Sequence, residues 1–208
     1  MPVHELPEAW RAPPRLQGRH VTLEPLRREH AGGLRTALAG DALSRAWYTS
    51  VTTAAGVDRW LDAALEAQAQ GRALPFAVRD VDGEIVGSTR FYYLEPTVPR
   101  LGIGYTWYMP RVQRTGVNTE AKRLLLAHAF ETLGCLSVVF ETSWFNQASR
   151  TAIARLGARQ DGVLRNHQRH ADGTPRDTVV FSIIDREWPA VKAHLGHRLE
   201  QGGQRDEA

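Results

Sequence analysis

Between Gln113 and Lys122 the chain reads QRTGVNTEAK, and the run LLLAHAF follows at Leu124–Phe130. A glycine among hydroxyl, amide and guanidinium side chains, set directly before an apolar helix, is an arrangement that can bind an anion. The first turn of a helix has backbone N–H groups without intrahelical partners, and the helix dipole adds roughly half a positive charge there. Gly116 lets the backbone come close to a ligand with no Cβ in the way, and Arg114 offers a guanidinium to phosphate oxygens. Asn118 or Thr119 can cap the helix. The same residues also read as a plain turn and cap, and the stretch alone does not separate the two. It is not a nucleoside-triphosphate loop, because Lys122 lies six residues after Gly116 with no second glycine, and no G-x-G-x-x-G dinucleotide fingerprint occurs.

Other chemistry-bearing residues have simpler readings. Cys135 follows Gly134 at a helix end, and with no histidine placed to activate it, it reads as a structural thiol. His167 and His170 fall in a predicted strand, where a spacing of three points them to opposite faces. His194 and His197 have no evident third ligand, so no metal site is expected. Tyr92 and Tyr93, as strand neighbours, are expected on opposite faces. Trp47 and Tyr48 read either as part of a pocket wall or as core packing.

These residues must be positioned by the elements around them. Val21–Leu26 alternates apolar and polar residues before a proline and reads as an edge strand. Helices are expected over 28–39 and over 57–70, the second closed by Gly71. The period then becomes strand-like in Leu74–Arg79, Glu84–Leu94 and Leu101–Met109, separated by DVDGE and EPTVP, which predicts an antiparallel meander. A helix over Thr119–Leu133 and a strand over Ser137–Thr142 follow, so one parallel crossover is expected inside an otherwise antiparallel sheet. A helix over Asn146–Leu156, a strand pair over Gly162–His170 and Thr178–Ile184, and a helix over Glu187–Leu199 complete one domain. Met1–Leu16 and Glu200–Ala208 read as tails.

The meander, then Gln113-x-x-Gly116-x-Asn118, then the helix, then a strand ending before Asn146-x-x-Ser149 and the ARLGA at Ala154–Ala158, resembles a GNAT-type N-acetyltransferase. Within that family it is most similar to the RimJ/RimL-like branch, which acetylates ribosomal-protein N-termini. The resemblance covers roughly residues 19–198. It implies an α+β fold with a mixed, mostly antiparallel sheet, one splayed parallel pair and flanking helices. It implies acetyl-CoA as cosubstrate, its pyrophosphate on the backbone of Gln113, Arg114, Thr115, Gly116, Val117, Asn118 and Thr119. Its pantetheine arm would lie beside the strand that ends at Tyr108 and Met109. Asn146 would hydrogen-bond that arm, and Ser149 would serve the departing thiolate. The acceptor would be a primary amine, of a protein N-terminus or a small molecule, and a homodimer is common in the branch.

Three departures bear on catalysis. Asn118 stands where the loop usually ends in Gly or Ala, Ile153 stands where many relatives carry a tyrosine acid, and the strand over Leu101–Met109 has no carboxylate. Glu141 is the nearest carboxylate by sequence and is the candidate general base. The alternative is a catalytically silent acyl-CoA-binding or interaction protein of the same fold.

Composition narrows the classes further. The chain has 208 residues, 42% hydrophobic, and a net charge of +3. All but Lys122 and Lys192 of its 26 basic residues are arginine, interspersed with 23 acids, and no block of like charge marks a nucleic-acid arm. A single cysteine excludes an internal disulfide, and no run is long and apolar enough to span a membrane. With no signal-peptide pattern in the first 20 residues, a cytoplasmic protein is expected.

Overall fold

Apolar residues recur at helical spacing up to Ala69 and at strand spacing from Ala73, and the chain changes element there. A computed structural model describes residues 6–40 and 43–206. Along them run β1 (Leu16–Gln17), β2 (Thr22–Pro25), α1 (Ala31–Ala37), α2 (Val57–Ala69), β3 (Ala73–Arg79), β4 (Ile85–Glu95) and β5 (Arg100–Tyr108). After these come α3 (Gly116–Ala127), β6 (Ser137–Ser143), α4 (Gln147–Ala154), β7 (Arg159–Arg169), β8 (Pro175–Ile184) and α5 (Trp188–Asp206). The strands form one sheet in the order β1-β2-β3-β4-β5-β6-β8-β7. All neighbours are antiparallel except β5 and β6, which α3 joins as the crossover that a parallel pair requires.

The two faces of the sheet bury different sets of side chains. Phe76, Phe91, Ile103, Phe140 and Ile183 pack with Leu125, Leu126 and Leu195 under α3 and α5. Leu34, Val57, Leu61 and Ala64 of α1 and α2 pack with Ala77 and Trp107 on the opposite face. The alternation along β3, with Leu74, Phe76 and Val78 on one side and Ala77 on the other, follows from the two-residue period of a strand. Past β3 and β4, α1 and α2 leave the second face open, and a cavity forms there.

Several expectations are corrected. The supposed N-terminal tail is partly core: Leu6 and Trp10 are 2% and 4% exposed and belong to the cluster under α3. Their apolar surface is carried by a 3-10 turn among prolines, which has no period for a sequence reading to detect. Val21–Leu26 does not supply the edge, because Leu16 and Gln17 pair outside it. Helix 28–39 divides into a 3-10 turn at Arg28–His30 and the short α1. The expected C-terminal tail begins within α5, which continues to Asp206.

Candidate active site

The loop before α3 is built by its own side chains. Pro110–Val112 forms a 3-10 turn, Arg114 takes a left-handed conformation (φ 66°), and Thr115 is the residue that caps α3. The Thr115 hydroxyl donates to the Val112 carbonyl (2.7 Å) and accepts from the Val117 N–H (3.3 Å). The helix therefore starts at Gly116, three residues earlier than expected, and Asn118 and Thr119 lie inside its first turn instead of capping it. Gln113 donates its amide to the Tyr108 carbonyl (2.8 Å), which ties the loop to the end of β5. A Cβ on Gly116 would stand 3.1 Å from the His20 ring, so the glycine makes room for the chain between β1 and β2. Glu120 secures that segment by accepting from the backbone N–H groups of Arg19 (2.9 Å), His20 (2.5 Å) and Val21 (3.0 Å). His20 and Glu120 were not singled out in the sequence, because a lone histidine and a helical glutamate carry no pattern.

Beside this loop the sheet parts. β5 and β6 pair only at Arg100–Ser137, Leu101–Val138 and Gly102–Val139, although β5 runs on to Tyr108 and β6 to Ser143. Past Gly102 the edge of β5 that faces β6 has no strand partner. Backbone N–H and C=O groups need partners when buried, so an extended amide chain fits this edge as a strand would. Tyr108 lies at the open end of β5, buried, its hydroxyl without a hydrogen-bond partner and its pKa raised by burial. Met109 packs between the two cores.

Across the opening, Asn146 caps α4 by accepting from the Ser149 N–H (3.0 Å). Using its carbonyl in this way turns its amino group away from the helix. Ser149 is half-buried, one turn ahead of Ile153 on the same helical face. Ile153 itself is 8% exposed and part of the core, which accounts for an apolar residue there.

The opening leads into a cavity of about 1030 Å³ on the face that α1 and α2 leave bare. Its floor is Arg90, Tyr92, Tyr93 and Tyr105 on β4 and β5 and Val139 and Glu141 on β6, with the C-terminal end of α2 along one side. Tyr92 lies flat on the backbone of β5: Cβ atoms on Gly102 and Gly104 would come within 2.5 Å and 2.8 Å of its ring. Contrary to expectation, Tyr92 and Tyr93 line the same cavity, their ring centroids 4.5 Å apart. The reason is a register shift in the β4–β5 pairing with Tyr93 at φ 51°, which breaks the alternation of faces. A second bulge at Tyr105 (φ 52°) swings that ring over the Arg90 guanidinium at 4.2 Å. Glu141 sits among these tyrosines; burial first, then the Glu141 carboxylate, raises the pKa of both Tyr92 and Tyr93.

Two buried groups flank the site. Lys122 points from α3 into the sheet, where it donates to Thr106 (2.7 Å) and lies 3.5 Å from Thr89. Burial lowers its pKa from 10.5 to about 7. Cys135 is 2% exposed and its thiol is pushed up to about 12, so it is a protonated packing group at neutral pH. Trp47 is not core: it is 46% exposed and packs on Phe145 (5.1 Å) and His170 (4.7 Å), joining the α1–α2 connection to the loop after β6. His194 meets the Arg155 carbonyl at 3.1 Å and His197 meets Gln201 at 2.8 Å. Among the described residues, no three metal-ligating side chains come together and no helix is long and apolar enough to cross a membrane.

A sheet whose one parallel pair opens beside a capped helix start is the architecture of the acetyltransferases that comparison with known proteins finds. The sequence profile of the acetyltransferase (GNAT) domain matches residues 20–159. The chain belongs to the GNAT family, the acetyl-CoA-dependent N-acetyltransferases. A GCN5-related N-acetyltransferase from Brucella melitensis is 33% identical, with a TM-score of 0.82 over 89% of this chain and 85% of that one. The Bacillus subtilis protein named "Putative ribosomal N-acetyltransferase YdaF" is 30% identical over 53% of this chain. The match spans 60% of that relative's length. RimJ of Mycobacterium smegmatis, solved in complex with CoA-disulfide, is 22% identical with a TM-score of 0.74 over 89% of this chain and 93% of its own, a likeness of fold.

Proposed function

We propose that this chain transfers the acetyl group of acetyl-CoA to a primary amine by direct attack within a ternary complex. The observation that carries the reading is the parting of β5 and β6 after three register pairs, directly beside the start of α3. Acetyl-CoA supplies an acyl group activated as a thioester. The backbone N–H groups from Arg114 to Thr119 would hold its pyrophosphate, the Val117 N–H being shared with the Thr115 hydroxyl, while Gly116 makes room for the neighbouring His20 and Gln113 fixes the loop. The open edge of β5 down to Tyr108 and Met109, together with the Asn146 amino group, suits its amide-bearing arm.

The acceptor enters from the cavity face. In the net reaction the amine nitrogen bonds to the acyl carbon as the carbon–sulfur bond breaks, and the proton the amine loses balances the one the thiolate gains. As the family resemblance implies, Ser149 would donate to the departing sulfur; Glu141, on the cavity side of the opening, would accept the amine proton. The Bacillus subtilis relative's name assigns a ribosomal substrate to that protein. Carried to this chain, it makes a protein N-terminal α-amine the first acceptor to try. Such an amine has a reference pKa of about 7.7–8.0 against about 10.4 for a lysine side chain, so it needs less help from a base.

Calorimetry with acetyl-CoA and CoA, followed by a thiol-release assay over N-terminal peptides, amino acids and polyamines, tests the proposal. Binding and turnover with at least one amine are expected. Absence of CoA binding at micromolar protein refutes the reading. Binding without turnover of any amine supports the silent alternative, which the core placement of Ile153 favours.

A further inference from the structure

Arg90 is the buried charged group on the cavity floor that the proposed reaction leaves unused; Arg72, Glu95, Arg100 and Asp161 also line the cavity but are not buried. It is 7% exposed, and burial lowers its pKa from the ordinary value. Its guanidinium carbon lies over two aromatic rings, 4.2 Å from the centroid of Tyr105 and 5.6 Å from that of Trp60. Among the described residues no carboxylate pairs with it, no hydrogen bond is made by its side chain, and its Nε is buried without a partner. A buried guanidinium without an anion carries a desolvation cost that an anion entering the cavity would offset. Contact with the rings stabilises the cation and leaves its N–H donors to an acceptor that enters the cavity. A planar fork of donors suits a carboxylate, which accepts two parallel hydrogen bonds.

The position of this group matters as much as its charge. Arg90 pairs with Gly104, two residues beyond Gly102, where the β5–β6 pairing ends. At about 3.3 Å per residue that is roughly 7 Å along the strand, on the cavity side of the opening. Gly104 leaves its space to the Tyr92 ring, and the bulge at Tyr105 brings a second ring against the guanidinium. A carboxylate bound here would hold an amine a few bonds away at the parting of the strands. Glu141, across the cavity on β6, disfavours a second carboxylate near the amine and favours the ammonium end.

We propose that Arg90, beside Trp60 and Tyr105, is the specificity residue for an acetyl acceptor that carries a carboxylate close to its amine. This rests on the acetyltransferase reading and names its acceptor class. The carboxylate comes either from a small amino acid or from an acidic residue near the start of a peptide.

The experiment uses matched probes on the full chain. The acceptors are β-alanine against β-alaninamide, and peptides beginning Ser-Asp against Ser-Asn, in the thiol-release assay. The wild type is expected to prefer the carboxylate member by tenfold or more in kcat/KM. Preference within the first pair assigns a small acceptor, and preference within the second assigns a peptide. Arg90→Gln should abolish the preference, Arg90→Lys should restore part of it, and calorimetric affinity for CoA should stay within twofold in both. A second readout is independent of turnover: quenching of tryptophan fluorescence by N-acetyl-β-alanine and by its amide. Saturable binding of the acid only, lost in Arg90→Gln, supports the proposal even for a silent protein. Equal rates and equal binding for acid and amide overturn it while CoA binding and amine turnover leave the parent reading intact. If Arg90→Gln does not fold, the wild-type comparison of acid with amide decides alone.

Discussion

Replacing Lys122 with methionine should change how the stability of this protein depends on pH. The ammonium is buried between α3 and the sheet with two threonine hydroxyls for company, and burial lowers its pKa from 10.5 to about 7. The native state therefore sheds this proton near pH 7, whereas the unfolded chain keeps it to about pH 10.5. Between those values the unfolded state binds more protons, so stability rises with pH, and below pH 7 the cost of burying the charge is present in full. A difference of 3.5 pKa units amounts to about 4–5 kcal/mol. The linkage relation gives a gain of about 2 kcal/mol between pH 7 and pH 9 that methionine cannot show. Methionine keeps most of the apolar volume, and Thr106 keeps a hydroxyl partner in Thr89 at 2.8 Å. The assay is urea unfolding followed by tryptophan fluorescence from pH 6 to pH 9, with the difference between wild type and Lys122→Met plotted against pH. Subtracting the variant removes the contribution of every other titrating group. At pH 6 the variant should be more stable by about 3 kcal/mol, the burial cost less one hydrogen bond. Between pH 7 and pH 9 about 2 kcal/mol of that advantage should be lost. A difference that stays flat within about 0.5 kcal/mol would mean that Lys122 titrates as an exposed lysine and that water reaches it.

Five further substitutions, two of them controls, probe the site and its supports. Gly116→Trp should displace the His20 ring and weaken CoA binding by about 100-fold in calorimetry, while Cys135→Ser leaves the affinity within about twofold. Glu120→Gln replaces two acceptor oxygens that serve three backbone donors with one, and urea unfolding should show a loss of about 1–3 kcal/mol. Gly102→Ala forces Tyr92 from its seat at 2.5 Å and should cost about 1–3 kcal/mol in the same assay, whereas Gly162→Ala, with no atom within 4 Å, should fall within about 0.5 kcal/mol of wild type.

The loop before α3 and the order of strand, helix and strand around it were legible in the sequence, because Gly116 with its polar neighbours and the change of apolar period are local signals. Long-range clamps were not. Glu120 reaches back some hundred residues to hold Arg19–Val21, and nothing at either end of that contact reveals the other. Faces were lost wherever a bulge intervenes: a single left-handed residue at Tyr93 and another at Tyr105 reverse the alternation on which the expectation for Tyr92 and Tyr93 rested. The burial of Lys122 was hidden for a related reason. It lies in a helix with an evident apolar stripe, and only the packed sheet shows that the stripe is wider than the apolar residues imply. Trp10 and Leu6 escaped notice because aperiodic burial leaves no pattern.

Three register pairs at Arg100–Gly102 and Ser137–Val139, extended by the Leu136 N–H on the Pro99 carbonyl (2.6 Å), join the strands up to β5 to the trio β6, β8 and β7. The sheet is thus two panels on one short seam, with α3 running from one panel to the other. Amide hydrogen exchange should register this directly, as residues of β5 past Gly102 lie on an unsealed margin until a ligand closes it. The seam also sets an asymmetry: motion that widens the gap at Tyr108 and Ser143 would pivot about Gly102, the residue whose missing side chain seats Tyr92, so the cavity floor would turn on the same axis as the gap between β5 and β6.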